Sequence, residues 1–286
     1  MPELPEVETI KNGLSRFILF KEIKLIELLD ERLLQNGDRS ELLKLKKDKF
    51  INISRLGKAI VFSFQKSKKK LVVHLKMTGQ LVYFSDKKAL LVGGHSEKNS
   101  NISNFKHIRF RVDFDDNNYL VLNDTRRFAY LKLLDSESFN NFSSKIGIDP
   151  LTEIFTLENF LKLLDGRRKN VKAFLLDQQF VSGIGNIYAD EVLFASGVSP
   201  FRSVDSLNLG EKKVIFANIK KILELAVEKR GTTFSDYVDV EGKSGGFLSL
   251  LKVYGRGGLK CFKCKDLIIK TKLSGRGTHY CKSCQK

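Results

Sequence analysis

Four cysteines stand as two pairs, Cys261-x2-Cys264 and Cys281-x2-Cys284, sixteen residues apart, and the chain has no others. Each Cys-x2-Cys step lets two thiolates grip one face of a tetrahedral ion, and the hairpin between the steps closes the shell. The spacing points to one Zn2+. Four protein ligands leave no open position, so the ion is expected to be structural, stabilising a segment too small to fold alone. Two disulfides are the competing reading and need an oxidising compartment. Arg276, in the loop between the pairs, is either a solvated surface arginine or, held by the metal, a group presented to a phosphate.

A second set opens the chain as MPELPEVET, with Pro2, Pro5 and the carboxylates of Glu3, Glu6 and Glu8 where chains usually fray. Val7, Ile10, Leu14, Phe17 and Ile18 fall on one helical face, Pro5 suits a first turn, and Glu6 and Glu8 suit its dipole. This predicts a helix anchored to a core. A third set sits at turns: Met77 in HLKMTG, and Arg126, Arg127 and Phe128 in NDTRRFAY. Single Met or Phe residues usually fill cores, but apolar tips beside an arginine also suit entry into a base stack. The glycines of GIGN, Gly183 to Asn186, precede a helical pattern; they fit a phosphate-binding helix start or an ordinary capped helix.

Lys and Arg outnumber Asp and Glu by 50 to 33, giving a net charge of +17. From Lys252 to Lys286 there are ten basic residues against Asp266 alone. Such charge is the footprint of a phosphate-rich partner, with nucleic acid ahead of a membrane surface or a merely solvated face. No apolar run reaches the length of a membrane span, and the acidic start is unlike a signal peptide, so an intracellular, cytoplasmic protein is expected. At 42% hydrophobic residues over 286 positions, disorder is excluded and two or three domains fit.

Elements that position these groups follow from periodicity. KAIVFSF, LVVHLKM, QLVYF, HIRFRVDF and YLVLND read as strands, the last two joined at DDNN, with Ile108, Phe110, Val112 and Phe114 on one side. Residues 86 to 104, rich in Gly, Ser and Asn, read as a surface excursion. From about Asp149 the period becomes helical, through Leu157 to Leu164, Val171 to Leu175, GIGNIYADEVLF and EKKVIFANIKKILELAVEKRG, the last capped by Gly231. Residues 232 to 250 read as a mobile loop. The division expected is 1–135, a linker at 136–150, then 151–240 and 241–286.

Taken in order, PELPEVET, HLKMTG, NDTRRF, KAFLLDQQFVSGIGNIYADEVLF and KVYGRGG before the cysteines resemble the bacterial formamidopyrimidine-DNA glycosylases. The resemblance runs from Pro2 to the last cysteine, and the LPEVE start and RRF favour this branch over the related endonuclease VIII group. It implies an α+β multidomain fold: a β-sandwich with an N-terminal helix, a helix-two-turn-helix domain, and a zinc-finger β-hairpin, with DNA in the cleft between.

The same resemblance implies removal of the initiator Met, leaving the Pro2 nitrogen as nucleophile of a bifunctional glycosylase and abasic-site lyase that acts by β,δ-elimination on oxidised purines. Glu3 matches its acid/base carboxylate. Glu6 matches a second pocket carboxylate, with a helix-dipole partner an equal reading. Lys58 matches the lysine contacting phosphate at the active site, and His74, Asn186 and Arg276 match further phosphate contacts. Met77, Arg126 and Phe128 match the trio filling the void of an extruded nucleotide, and the loop near 232 to 250 matches the segment closing over the flipped base. Damaged double-stranded DNA is the implied partner, a monomer the implied state, and one structural Zn2+ the only implied cofactor. Lys76 and Ala129 stand where glycine is common and Thr125 where proline is common, and the 86–104 excursion is longer than usual; these departures bear on lesion preference. An oxidised-pyrimidine glycosylase of the same fold and a non-catalytic zinc-dependent DNA-binding protein are the alternatives.

Overall fold

The computed structural model describes residues 1–85, 106–232 and 246–286, together with the backbone of 88–94. In chain order the first elements are α1 (Leu4–Ile18), β1 (Ile23–Leu28), β2 (Leu34–Asn36), α2 (Arg39–Leu43), β3 (Phe50–Leu56), β4 (Ala59–Phe64), β5 (Lys70–His74) and β6 (Gly79–Ser85). They are followed by β7 (Lys88–Gly94), β8 (Ile108–Phe114), β9 (Tyr119–Asp124), β10 (Tyr130–Leu134) and α3 (Ser136–Ser143). The rest are α4 (Leu157–Leu164), α5 (Val171–Leu176), α6 (Asn186–Ser196), α7 (Leu209–Glu228), β11 (Ile269–Leu273) and β12 (Arg276–Tyr280). The chain divides into two compact units, Met1–Lys145 with Lys229–Gly246, and Ile146–Glu228 with Phe247–Lys286.

The first unit is a sandwich of two five-stranded sheets, ordered β1-β8-β9-β6-β7 and β2-β10-β5-β4-β3. Their inner faces interleave Ile26, Phe50, Ile60, Phe62, Val73, Leu81, Phe110, Val112, Leu122 and Leu131 into one core, which also takes Val7, Ile10, Leu14 and Ile18 of α1. Because α1 lies against β3 and β7, the edge strands of the two sheets, it bridges one open side of the sandwich. The β8–β9 pair is antiparallel as the alternation predicts, but a register shift between Ile108 and Phe110 turns Ile108 to the opposite face, where it joins Val82, Phe84, Tyr119 and Val121. A bulge inserts one residue and so reverses side-chain parity behind it.

Part of the expected 86–104 excursion is a strand: 88–94 pairs with β6, its apolar Ala89 to Val92 run outweighing the glycines that follow. Residues 86–87 and 95–104 lie outside the described residues. The stretch 136–150 carries α3, whose Phe139 and Phe142 cover Ala59, Val61, Val72 and Leu134 on the outer face of the second sheet. Of 232 to 250, Thr232 pairs with Gly246 and 247–250 form a helical turn, while 233–245 lie outside the described residues. Helix α7 stops at Glu228, before Gly231, which has φ +79°.

The second unit packs α4, α5 and α7 around Phe155, Phe160, Phe174 and Phe216, whose rings meet at 5.0–6.2 Å. Helix α6 is buried along most of its length, and the β11–β12 hairpin lies against it.

Candidate active site and DNA-contacting residues

Antiparallel pairing brings the functional positions of the first unit to one end of the sandwich. Lys58 precedes β4, His74 ends β5, Gly79 starts β6 opposite Asp124 at the end of β9, and Tyr130 starts β10 opposite His74. The amino end of α1 faces the same place. Glu3 and Glu6 act to raise the amine of Met1, and Lys58 and Arg126 to lower it, but burial dominates and holds that amine below its ordinary value. Pro2 is buried, as are Glu3 and Glu6, and Lys58 is only 9% exposed. Two carboxylates, two cations and the chain's amino end therefore share one electrostatic neighbourhood.

Glu6 uses both of its carboxylate oxygens to hold backbone. Its Oε2 accepts the Glu3 N–H at 2.9 Å, which ties down the start of α1. Its Oε1 accepts the N–H of Thr232 at 2.8 Å and its hydroxyl at 3.1 Å, fastening the chain just before 233–245 to that start. A Cβ at Gly231 would lie 2.6 Å from Glu6 Oε1, so this approach requires glycine.

The structure brings Met77, Arg126 and Phe128 together. Arg126 Nη2 lies 3.2 Å from Met77 Sδ, its guanidinium stands 4.9 Å from the centre of the Phe128 ring, and Met77 and Phe128 are 47% and 49% exposed. Side chains of this size left half in water at adjoining tips are not core filler. Their common support is Asp124, which is fully buried. Its carboxylate accepts from Thr78 Oγ1, from the Arg126 N–H at 3.2 Å and from the Ala129 N–H at 2.7 Å, so one side chain fastens both loops. Sequence reading passed over Asp124; an Asp directly before a turn, able to bond backbone two residues on, was the available signal.

Both tips also hold left-handed backbone without glycine: Lys76 at φ +51° and Arg127 at φ +58°. The departure at Lys76 thus keeps the glycine-type conformation at a cost of about 1 kcal/mol. Ala129 does pack closely, its Cβ lying 3.0 Å from where a Cβ on Gly79 would be.

His74 is fixed in one protonation state. Lys76 N–H donates to its Nδ1 at 3.0 Å, so the hydrogen of the neutral ring sits on Nε2. Burial first, then the charges of Lys76, Lys58 and the amino terminus, pull its pKa down to about 3. His74 is therefore a neutral donor near pH 7, while Lys58 supplies charge.

In the second unit the hairpin brings Arg276 and Asn186 together. Asn186 Nδ2 donates to the Gly277 carbonyl at 2.8 Å, leaving a second amide hydrogen at the first residue of α6. The buried Lys172 donates to the same carbonyl at 2.7 Å and to Thr278 Oγ1 at 2.8 Å, and pairs with Asp190 at 2.7 Å. Gln178 bridges the GIGN turn, accepting from the Gly183 N–H at 2.9 Å and donating to the Ile184 carbonyl at 2.8 Å. Arg276 itself is exposed. The sequence reading missed Lys172, Asp190 and Gln178, since nothing local separates a buried lysine from a surface one.

The Sγ atoms of Cys261, Cys264, Cys281 and Cys284 all lie within 4.8 Å of one another, two pairs at 3.8 and 3.4 Å, with no disulfide. Tetrahedral Zn–S bonds of about 2.3 Å separate sulfurs by roughly 3.8 Å, so the set fits one structural Zn2+. Glu191 on α6 accepts the backbone N–H groups of Lys252, Val253 and Tyr254 at 2.8–3.0 Å, anchoring the chain that leads into the finger.

The N-terminal domain family of formamidopyrimidine-DNA glycosylase matches residues 1–131, its H2TH domain 146–237, and the zinc finger found in FPG and IleRS 258–286. The chain belongs to the formamidopyrimidine-DNA glycosylase family. It is 40% identical to the formamidopyrimidine-DNA glycosylase of Carboxydothermus hydrogenoformans over the whole of both chains, and 36% to that of Mycoplasma genitalium over all of this chain and 96% of the other. Among solved structures it resembles Lactococcus lactis Fpg bound to abasic-site DNA, at 30% identity and TM-score 0.84 over 99% of each chain. It also resembles the same enzyme bound to DNA containing N7-benzyl-Fapy-dG, at TM-score 0.86, and to DNA containing an oxidised pyrimidine, at 0.85, each covering both chains fully.

Asp124→Ala leaves the Thr78, Arg126 and Ala129 donors without their acceptor, so unfolding in urea should show a loss of about 3 kcal/mol, with Asp124→Asn milder. Acidification should cost stability through His74. Its unfolded ring binds a proton below about pH 6.5 and its folded ring only near 3, so this contribution, full above pH 6.5, fades as pH falls through that window. Urea midpoints against pH should fall less steeply in His74→Gln. Chelation of zinc or Cys264→Ser should open the finger to protease and abolish duplex binding.

Proposed function

We propose that this DNA glycosylase removes oxidised purines, 8-oxoguanine and formamidopyrimidines, from duplex DNA and then cuts the abasic strand, with the Pro2 nitrogen as nucleophile once Met1 is removed. The observation carrying the proposal is the convergence of Glu3, Glu6, Lys58 and Arg126 on the buried amino end of α1. A terminal amine has an ordinary pKa near 8 and is partly neutral at neutral pH, so it attacks without a separate strong base. Burial disfavours the charged ammonium and so raises the neutral, nucleophilic fraction, the direction that the Met1 amine already shows.

In the reaction the Pro2 nitrogen bonds to C1′ as the C1′–base bond breaks and the base departs with a proton. Glu3 protonates the ring oxygen as the sugar opens, leaving an iminium that acidifies the C2′ hydrogen. Loss of that proton expels the 3′ phosphate, and a second elimination expels the 5′ phosphate. Lys58 supplies charge to phosphate and His74 a neutral hydrogen bond, with Asn186 and Arg276 holding further backbone oxygens. Met77, Arg126 and Phe128 fill the gap left by the extruded nucleotide, and Glu6 positions both Glu3 and the chain entering 233–245.

The modules we assign are 1–135 for chemistry, 136–150 as connection, 151–240 as helix-two-turn-helix, and 241–286 as loop end and finger. No helix among the described residues is long and apolar enough to cross a membrane. A cytoplasmic monomer is the state that the family resemblance leads us to assign. Because the Lactococcus enzyme was also solved with an oxidised pyrimidine, the deciding assay includes both lesion classes. Single-turnover release of 8-oxoguanine opposite cytosine should exceed release of thymine glycol at least ten-fold, and Glu3→Gln should lower the former by about 10² or more. Preference for thymine glycol would reverse the substrate assignment.

A further inference from the structure

The end of the sandwich opposite Lys58 and His74 is built from two lysine-rich segments held side by side. Residues 44–49 follow α2, and residues 65–69 join β4 to β5. Gln65 N–H donates to the Lys49 carbonyl at 2.9 Å and Lys66 Nζ to the Lys47 carbonyl at 2.5 Å. At their junction Asp48, 3% exposed, accepts three backbone N–H groups, from Lys49 at 2.7 Å, Lys66 at 2.9 Å and Ser67 at 2.8 Å. Lys44, Lys46, Lys47, Lys49, Lys66, Lys68, Lys69 and Lys70 gather here against four acids, Asp38, Glu41, Asp48 and Asp135. Lys69 pairs with Glu41, and Lys44, Lys46, Lys47, Lys66 and Lys68 are exposed.

Clustering like charges destabilises a fold, and here a buried carboxylate spends its hydrogen bonds holding the turn that clusters them. Strand β5 separates Lys70 from His74 by four residue steps, about 13 Å, beyond the roughly 8 Å Debye length at physiological salt. The field of these lysines is thus largely screened from the site end, so they act at their own surface. Lysines present point charges without a fork for carboxylates or base edges, which suits the evenly spaced phosphates of a duplex backbone.

We infer that this lysine-rich end is a second, sequence-independent contact for duplex DNA, which holds a neighbouring segment while the site is engaged and lets the protein pass directly between them. The inference rests on the DNA-repair function proposed above.

The test uses the full zinc-loaded protein bound to a labelled duplex carrying an uncleavable abasic analogue, with release followed against rising undamaged competitor duplex. Release by the wild type should accelerate with competitor. The Lys44→Gln, Lys46→Gln, Lys68→Gln variant should lose most of that acceleration, and the log–log salt slope of the competitor-dependent part should become shallower by about 2 to 3. Its melting temperature and its cleavage of a short lesion duplex should match wild type, and arginine at the three positions should restore transfer. Equal acceleration in the Gln variant, or none in wild type, would overturn the inference. So would loss of short-duplex cleavage by a variant of normal stability, which would place these lysines on the primary DNA path. Acceleration by a polyglutamate peptide but not by duplex would assign the surface to an acidic protein instead. A wild type that neither binds nor cuts lesion DNA would sink the functional reading itself, an outcome distinct from normal cutting with competitor-independent release.

Discussion

The site end of the sandwich depends on how one buried carboxylate spends its bonding capacity. Asp124 closes β9, pairs in register with Gly79 at the start of β6, and fastens Thr78 on one loop and the Arg126 and Ala129 amides on the other. Without it the two tips share the β6–β9 pairing and the Arg126–Met77 contact, each carrying an unfavourable left-handed residue. With it, Met77 and Phe128 are held half-exposed at fixed separation, with Arg126 against both. For the wedge role proposed for these tips such rigidity matters, because ordering them on contact would subtract from binding.

The same device recurs at three further places in this chain. Glu6 joins the start of α1 to Thr232, Glu191 gathers three consecutive amides before the finger, and Lys172 with Asp190 fastens the hairpin beside Arg276. Asp190 also accepts the His279 N–H at 2.8 Å. Buried charges are costly to desolvate and contribute little net stability compared with apolar packing, so their value lies in geometry. Each fixes a backbone segment beside a residue to which the proposed function gives a DNA contact.

What could be read in advance was whatever is local in the chain. The α1 face, the β8–β9 hairpin and the Cys-x2-Cys steps each depend on spacing within a few residues, and they lie where periodicity and ligand geometry place them. The parity of Ile108 was misread because a bulge leaves no mark in the alternation, and β7 was hidden by glycines that follow a short apolar run. Pro2, Glu3, Glu6 and Lys58 came from family resemblance, since no spacing rule makes a proline at position 2 a nucleophile. The meeting of Met77 with Arg126, 49 residues apart, is a tertiary fact, and so are Asp124 and Lys172 as fasteners. Residues whose role is to hold others have ordinary local context and become visible only when their partners are placed.

Whether the chain's second residue performs the chemistry, as proposed, is decided by borohydride trapping on duplex DNA containing 8-oxoguanine opposite cytosine. The covalent adduct is digested and its peptide mapped, with Pro2→Gly in parallel. The account predicts an adduct on residue 2 of a chain lacking Met1, formed more weakly by the variant. An adduct mapped to a lysine such as Lys58, or tight binding without any adduct on this DNA and on an abasic duplex, would contradict it.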